Sequence, residues 1–379
     1  MMGEVIGGAA VAAWTYLVFA RGGFWRMSAK AFLSDATATH ARVAVVIPAR
    51  DEAEFIGRSV TSILQQDHPG PLHILVVDDH SADRTSAAAI EAADAAGKRD
   101  SLSVITSAPL PAGWTGKLWA VHQGVVRSAE LRPQYIWLTD ADVVHGQTTL
   151  RDLIGKAREG FDLVSLMVKL RCESWAERAF LPAFVFFFFK LYPPAWIADH
   201  KRKSAGAAGG CMLVKVEALD SIGGIASIRG ELIDDCALAR KIKRKGGVWL
   251  GLSHESRSLR SYPTWRDVAK MISRTAFTQL KHSTVLLFGT LLGLIVTYLA
   301  APVLLFTGGW AALLGLIAWT LMTAAYLPVG RFYRQPVISA LSLPLVAAFY
   351  ATATAYSAVQ YWTGKGGEWK GRVQDPVRG

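Results

Sequence analysis

The sequence predicts an α/β doubly wound domain joined to membrane helices, and three observations carry that prediction. Between Arg42 and Thr139, short β-branched runs alternate with stretches of helical period, as expected for a sheet covered by helices. The carboxylates among them, Glu52, Asp79, Asp140 and Asp142, fall where apolar runs end, which is the edge where such sheets bind ligands. Elsewhere, apolar stretches approach or exceed the about 20 residues that a bilayer-crossing helix needs.

Val43-Ala-Val-Val-Ile47 reads as a buried parallel strand, stopped by Pro48 and followed by the loop Pro48-Ala-Arg-Asp-Glu52. From Ala53 to Gln66, the residues Phe55, Ile56, Val60, Ile63 and Leu64 recur at helical spacing. Leu72 to Val77 is a second strand ended by Asp78-Asp79, and Ser81 to Ala96 a second helix. A short strand at Leu102 to Thr106, a Gly/Pro loop through Gly116 and a helix from Lys117 to Ser128 follow. The run Tyr135-Ile-Trp-Leu-Thr-Asp-Ala-Asp-Val-Val144 then ends a strand in two carboxylates one residue apart. Side chains two apart in a strand share a face, so both oxygens can reach one hard cation such as Mg²⁺ or Mn²⁺, with a diphosphate as its other ligand. A solvated turn after a strand is the competing reading.

Of the 379 residues, 51% are hydrophobic and mean hydropathy is +0.26, too apolar for an ordinary soluble enzyme and too charged for a chain buried in lipid throughout. Thr284 to Thr307, Gly309 to Pro328 and Val337 to Trp362 are long enough to span. Val5 to Ala20 is shorter and is followed by Arg21, Arg26 and Lys30 without a small-residue cleavage site, which reads as an uncleaved anchor, a removed signal peptide being the alternative. The expected organisation is an anchor with basic flank at 1–30, a catalytic domain at 31–283, transmembrane helices at 284–362 and a basic tail at 363–379. The positive flank puts the polar middle in the cytoplasm, at the inner membrane. Three further spans would leave Lys365, Lys370 and Arg372 outside, so either one span is re-entrant or the tail departs from the rule. The net charge of +11 suits a surface facing anionic lipid. It does not point to nucleic acid, because the basic residues are dispersed and no recognition motif accompanies them. Cys172, Cys211 and Cys236 form neither a disulfide framework nor a zinc pattern. No Gly-X-Gly-X-X-Gly follows the first strand, and Gly113-Trp-Thr-Gly-Lys-Leu118 lacks the spacing of a P-loop, so neither a dehydrogenase nor a P-loop NTPase is supported.

The ordered set Pro-Ala-Arg-Asp-Glu, Val-Val-Asp-Asp-His-Ser-Ala-Asp-Arg-Thr, Gly-Lys and Thr-Asp-Ala-Asp resembles the family 2 inverting glycosyltransferases of the GT-A fold, over about Arg42 to Arg274. Within that family it looks closest to membrane-anchored, non-processive members acting on lipids, the hopanoid-associated (hopene-associated) group in particular. The N-terminal anchor, the C-terminal helices and the tail Trp369-Lys-Gly-Arg372 carry that finer likeness. The resemblance implies a Rossmann-like GT-A domain in the cytoplasm. Pro48, Ala49 and Glu52 would line the base and ribose pocket, Asp79 would accept a hydrogen bond from the nucleoside, and Asp78 would support the loop. For Asp78-Asp79, capping of the following helix is the rival reading. Lys117 would meet a phosphate as a point charge or stand as a solvated first-turn lysine. Asp142 would ligate the divalent metal directly, with Asp140 on ribose or metal.

Ala205-Gly-Ala-Ala-Gly-Gly-Cys-Met-Leu-Val214 resembles the family's small-residue loop, where donor sugar and acceptor approach the backbone; a glycine-rich turn before a strand reads equally well. Glu231-Leu-Ile-Asp-Asp-Cys-Ala-Leu-Ala-Arg240 matches the family's acidic pair, here Asp234-Asp235. Inversion requires a base opposite the leaving diphosphate, and Asp235 is assigned that role, with Asp234 raising its proton affinity. The alternative is an acidic first turn complementing the helix dipole. Where relatives carry Gln/Arg-X-X-Arg-Trp, this chain has Met271-Ile-Ser-Arg-Thr275. Arg274 remains to bind diphosphate, and the missing tryptophan argues against a processive synthase. The aromatic stretch Ala179 to Trp196 reads either as a segment in the headgroup plane or as a buried core helix.

The expected activity is transfer of a sugar from a nucleotide-diphosphate donor, most simply UDP-linked, to a lipid of hopanoid type. A polyprenyl phosphate or sphingolipid acceptor is the nearest rival, and a silent nucleotide- or lipid-binding membrane protein is the rival of another class.

Overall fold

The computed structural model describes residues 1–27, 40–369 and 372–373; the expected basic residues Lys30 and Lys370 lie outside them. The chain forms two compact units. One comprises Met1–Met27, Cys172–Ala195 and Tyr262–Gly379, the other Ser28–Arg171 and Trp196–Ser261.

The second unit is built on an eight-stranded mixed sheet. Its strands are β1 (Val43–Ala49), β2 (Leu72–Asp78), β3 (Leu102–Thr106), β4 (Tyr135–Thr139), β5 (Val143–Val144), β6 (Leu163–Lys169), β7 (Cys211–Lys215) and β8 (Val248–Ser258), in the order β3-β2-β1-β4-β7-β6-β8-β5. The first four are parallel, as the continuous apolar runs lead one to expect. The remainder is not a simple continuation of that pattern: β7 runs antiparallel to both β4 and β6, and β5 antiparallel to β8. Strand direction depends on the connection, and an apolar run reads the same either way. Pro48 does not stop β1, which continues to Ala49. The residue is tolerated because β1 pairs with β4 only from Val43 to Val46, so Pro48 lies where one side of the strand is already unpaired.

Alternation along the strands separates two faces. Val43, Val45, Ile47 and Trp137 pack with the helices Ile56–Leu64, Thr85–Ala95 and Thr149–Arg158 in one core, all essentially sealed from solvent. The helix Gly116–Ser128 covers the opposite face, where Gly124 meets Val46 and Val77. A β-carbon on Gly124 would stand 2.5 Å from Val46 Cγ1, inside van der Waals contact with a side chain fixed in the sheet. Gly124→Ala is therefore expected to lower stability by about 1–3 kcal/mol, despite alanine's better helix propensity. The shift in the denaturant midpoint measures it.

The first unit gathers apolar helices. Five helices of the described residues are long and apolar enough to cross a membrane: Met2–Ala20, Trp175–Ala198, Thr284–Leu304, Gly309–Phe332 and Val337–Trp362. The last residues of the second, 196–198, are counted with the sheet unit. Within the first unit, the Trp14 indole N–H donates to the Thr297 carbonyl at 2.7 Å, in a π-helical turn (Ile295–Leu299) where the ordinary helical ladder is broken. The helix Trp175–Leu191 is started by a capping box between Ser174 and Glu177. It packs through Phe180 stacked on Phe349 at 3.9 Å and Phe186 edge-on to Tyr326 at 5.2 Å. Its length alone would allow it to span, but its connections forbid a single crossing. β6 precedes it, β7 follows it, and these strands are hydrogen-bonded neighbours from Leu163–Val214 to Ser165–Met212. Both ends of the segment must lie on one side of any bilayer.

Candidate active site

The site lies within the sheet unit, at the carboxyl ends of β1 and β4. Thr115 caps the helix Gly116–Ser128 by accepting the Leu118 N–H at 3.3 Å, which sets Lys117 in the first turn. Its ammonium lies 3.0 Å from Asp140 Oδ1 and 3.4 Å from Asp234 Oδ2, so it ties the end of β4 to the start of the helix Asp234–Lys243. Burial acts to lower the proton affinity of Lys117, but the Asp140 and Asp234 carboxylates outweigh it and hold the amine charged, well above the usual lysine range. Pro48, Lys117, Thr139, Asp140, Gly209 and Asp234 line one cleft.

Asp235 adjoins that cleft. Its Oδ2 accepts the Gly209 N–H at 2.9 Å, and its Oδ1 accepts the Cys236 N–H at 2.6 Å. Burial, reinforced by the Asp234 charge and opposed by Lys117 and the two N–H donors, pushes its carboxyl up to about 6. A carboxylate held near neutral proton affinity, in fixed orientation, can act as a general base.

The loop carrying Asp140 and Asp142 is braced from below. The His145 imidazole sits between Thr139 Oγ1 at 2.9 Å and Ser256 Oγ at 3.0 Å, and packs on Trp137 at 4.6 Å. Burial pushes it down to about 3, so it stays neutral and acts as a strut. Arg260 extends just beyond β8. Its Nη2 donates to both Glu52 oxygens, at 2.6 and 2.8 Å, and its Nε donates to Asp142 Oδ2 at 2.9 Å. Ser258 Oγ also donates to Asp142 Oδ2, at 3.3 Å.

The assigned residues fall into distinct surroundings. Pro48, Lys117, Asp140 and Asp234 share the cleft, and Asp235 reaches its edge through Gly209. Ala49 is buried, and its carbonyl accepts the Asp79 N–H. Asp79 is buried with Arg50 3.4 Å from its carboxylate. Asp78 turns into its own loop, accepting the Ser81 N–H at 2.8 Å and the Ser86 hydroxyl. Glu52 and Asp142 are joined by Arg260. Arg274 belongs to the other unit, at the end of the helix Trp265–Ser273. Sequence reasoning missed Arg260, His145 and Ser256, whose link to the Asp-Ala-Asp loop is the long-range pairing of β5 with β8.

Among the described residues, no group of three or more His, Cys, Asp or Glu side chains is placed to hold a metal ion. Asp140 and Asp142 carry the hard oxygen donors that a divalent cation takes, and would hold one only with diphosphate oxygens and water completing its shell. Among the described residues, the hydrogen bonds to the Asp142 carboxylate come from Ser258 and Arg260 and fall on Oδ2, which leaves Oδ1 to meet such an ion.

Residues 40–275 match the family described as glycosyltransferase like family 2, more than half of the chain, and the protein belongs to that family. It is a glycosyltransferase of the nucleotide-sugar-dependent type. No curated protein matches the chain. Among solved structures, it is similar to the mannosyltransferase PcManGT from Pyrobaculum calidifontis in complex with GDP-Man and Mn²⁺, with TM-score 0.57, 20% identity and coverage of 94% of this chain and 99% of that one. At that identity the likeness establishes the fold. A glucosyl-3-phosphoglycerate synthase from Mycobacterium tuberculosis, in complex with Mn²⁺, UDP-glucose and glycerol 3-phosphate, matches more weakly, at TM-score 0.40 and 16% identity, covering 64% of this chain and 79% of that one.

Proposed function

We propose that the protein is a membrane-bound inverting glycosyltransferase that moves a sugar from a nucleotide-diphosphate donor, most simply UDP-linked, to a lipid acceptor. A hopanoid or related polycyclic isoprenoid lipid is the favoured acceptor, by family resemblance. The observation that carries the transferase chemistry is Asp235, anchored by two backbone N–H groups with its carboxyl pushed up to about 6, beside the cleft of Lys117, Asp140 and Asp234. The apolar helices favour a lipid acceptor over a soluble one.

Asp142 and Asp140 would hold Mg²⁺ or Mn²⁺, which supplies charge neutralisation to the leaving diphosphate. Lys117, kept charged, draws the same phosphates to the cleft. Asp235 takes the acceptor hydroxyl proton as that oxygen bonds to the anomeric carbon. The carbon–oxygen bond to the diphosphate breaks with its electrons leaving on the phosphate, and configuration inverts. Orientation follows the basic residues. With Arg21 and Arg26 on the cytoplasmic side of the first helix, the Gly309–Phe332 helix returns Arg331 and Arg334 to that same side.

Mass spectrometry of lipids from cells expressing the wild-type chain or Asp235→Asn tests this, with UDP-glucose, UDP-galactose, UDP-N-acetylglucosamine and GDP-mannose supplied to the membranes. The expected result is one added sugar on a polycyclic lipid in the wild type alone. A sugar appearing only on a water-soluble product would contradict the lipid acceptor.

A further inference from the structure

The structure assigns Arg260 the role of a positioning residue that turns Asp142 toward a divalent cation while locking the metal loop to the nucleotide loop. This rests on the donor site proposed above. Three facts about the fork support it. First, the Leu259 N–H donates to the Asp142 backbone carbonyl at 2.7 Å, so the chain that delivers Arg260 is itself pinned to the Asp-Ala-Asp loop. Second, the guanidinium binds Glu52 through one nitrogen and Asp142 through another, uniting loops that leave two different strands. Third, it lies over the Phe55 ring at 5.5 Å, which limits its freedom to swing away.

Charge alone would argue that a guanidinium beside a metal ligand repels the metal. The Glu52 carboxylate removes that objection. Glu52 and Arg260 neutralise one another, and the negative charge of Asp142 remains for the cation. Because Arg260 and Ser258 both occupy Oδ2, the side chain is held in one rotation with Oδ1 presented. Ligand orientation by a neighbouring hydrogen bond commonly sets metal affinity by about 10- to 100-fold. Lysine cannot replace the fork, since one ammonium lacks the fixed spacing that spans two carboxylates.

The two effects predict opposite signs, which makes the test clean. Binding of Mn²⁺ alone to the purified full chain is followed by the loss of the free-ion electron paramagnetic resonance signal. If Arg260 positions Asp142, Arg260→Lys and Arg260→Gln weaken Mn²⁺ binding by about 10- to 100-fold. If it is merely a counter-charge, Arg260→Gln leaves Glu52 and Asp142 both negative and binds Mn²⁺ as tightly as wild type or more tightly, which overturns the inference. Should the single glutamine variant fail to fold, Glu52→Gln combined with Arg260→Gln removes the fork together with the carboxylate it neutralises, and so keeps the charge balance; it too must bind more weakly. Wild-type protein that binds no Mn²⁺, or Asp142→Ala that binds it equally well, defeats the donor-site reading itself and the inference with it.

Discussion

Asp235→Asn is expected to bind the nucleotide-sugar donor as the wild type does and to transfer sugar about 10²–10⁴-fold more slowly. Asparagine keeps the shape, and its single amide oxygen can still accept one of the two N–H groups, from Gly209 and Cys236, that orient the side chain. What it lacks is the capacity to take a proton. The wild-type pH profile should rise through about 6, where the Asp235 carboxyl loses its proton, and level off above. Stability should move the other way. Because the folded carboxyl sits above its ordinary value of 3.8, the stability it contributes is complete below about 4 and is lost as pH rises through 6. The variant should lose that component of both curves. Donor affinity by calorimetry, with turnover and melting temperature between pH 4 and 8, measures all three.

Asp142→Ala is expected to abolish metal-dependent donor binding: the affinity for nucleoside diphosphate with Mn²⁺ should fall about 100-fold, to the value seen with chelator, a loss of roughly 3 kcal/mol. The fold should survive, because Arg260 keeps its two bonds to Glu52 and no buried charge is left alone. Transfer falls with binding here, whereas in Asp235→Asn it falls without it. The reverse pattern, with Asp142→Ala binding donor normally and Asp235→Asn failing to bind, would exchange the assigned roles.

Much of the sheet unit was legible because buried parallel strands are continuous apolar runs, and β3 spans the expected Leu102–Thr106. Helix starts were less so. The helix expected from Ser81 begins at Thr85, and the one expected from Ala53 begins at Ile56, because their leading residues are used to join the two loops. Asp51 accepts the Ala82 N–H at 2.8 Å, and Asp83 accepts the Ala53 N–H at 3.0 Å. Such reciprocal side-chain bonds compete with the first helical turn, and sequence spacing does not reveal them. The acidic pair at 234–235 was legible from its motif, while its link to Lys117 needed the fold. Arg260 carried no local signal at all. It follows a strand whose partner lies more than a hundred residues earlier, so only the β5–β8 pairing brings it to Asp142.

Asp140 and Asp142 are expected to share a cation with the donor diphosphate, while Asp235 stands at the edge of the cleft that Lys117, Asp140 and Asp234 line. Anomalous diffraction from crystals grown with Mn²⁺ and a nucleoside diphosphate addresses it most directly. One manganese peak is expected against Asp142, bridged to the diphosphate, with Lys117 on the phosphates and Asp235 facing the vacant sugar position. Manganese bound away from both aspartates, or a nucleotide seated elsewhere on the sheet, would contradict it.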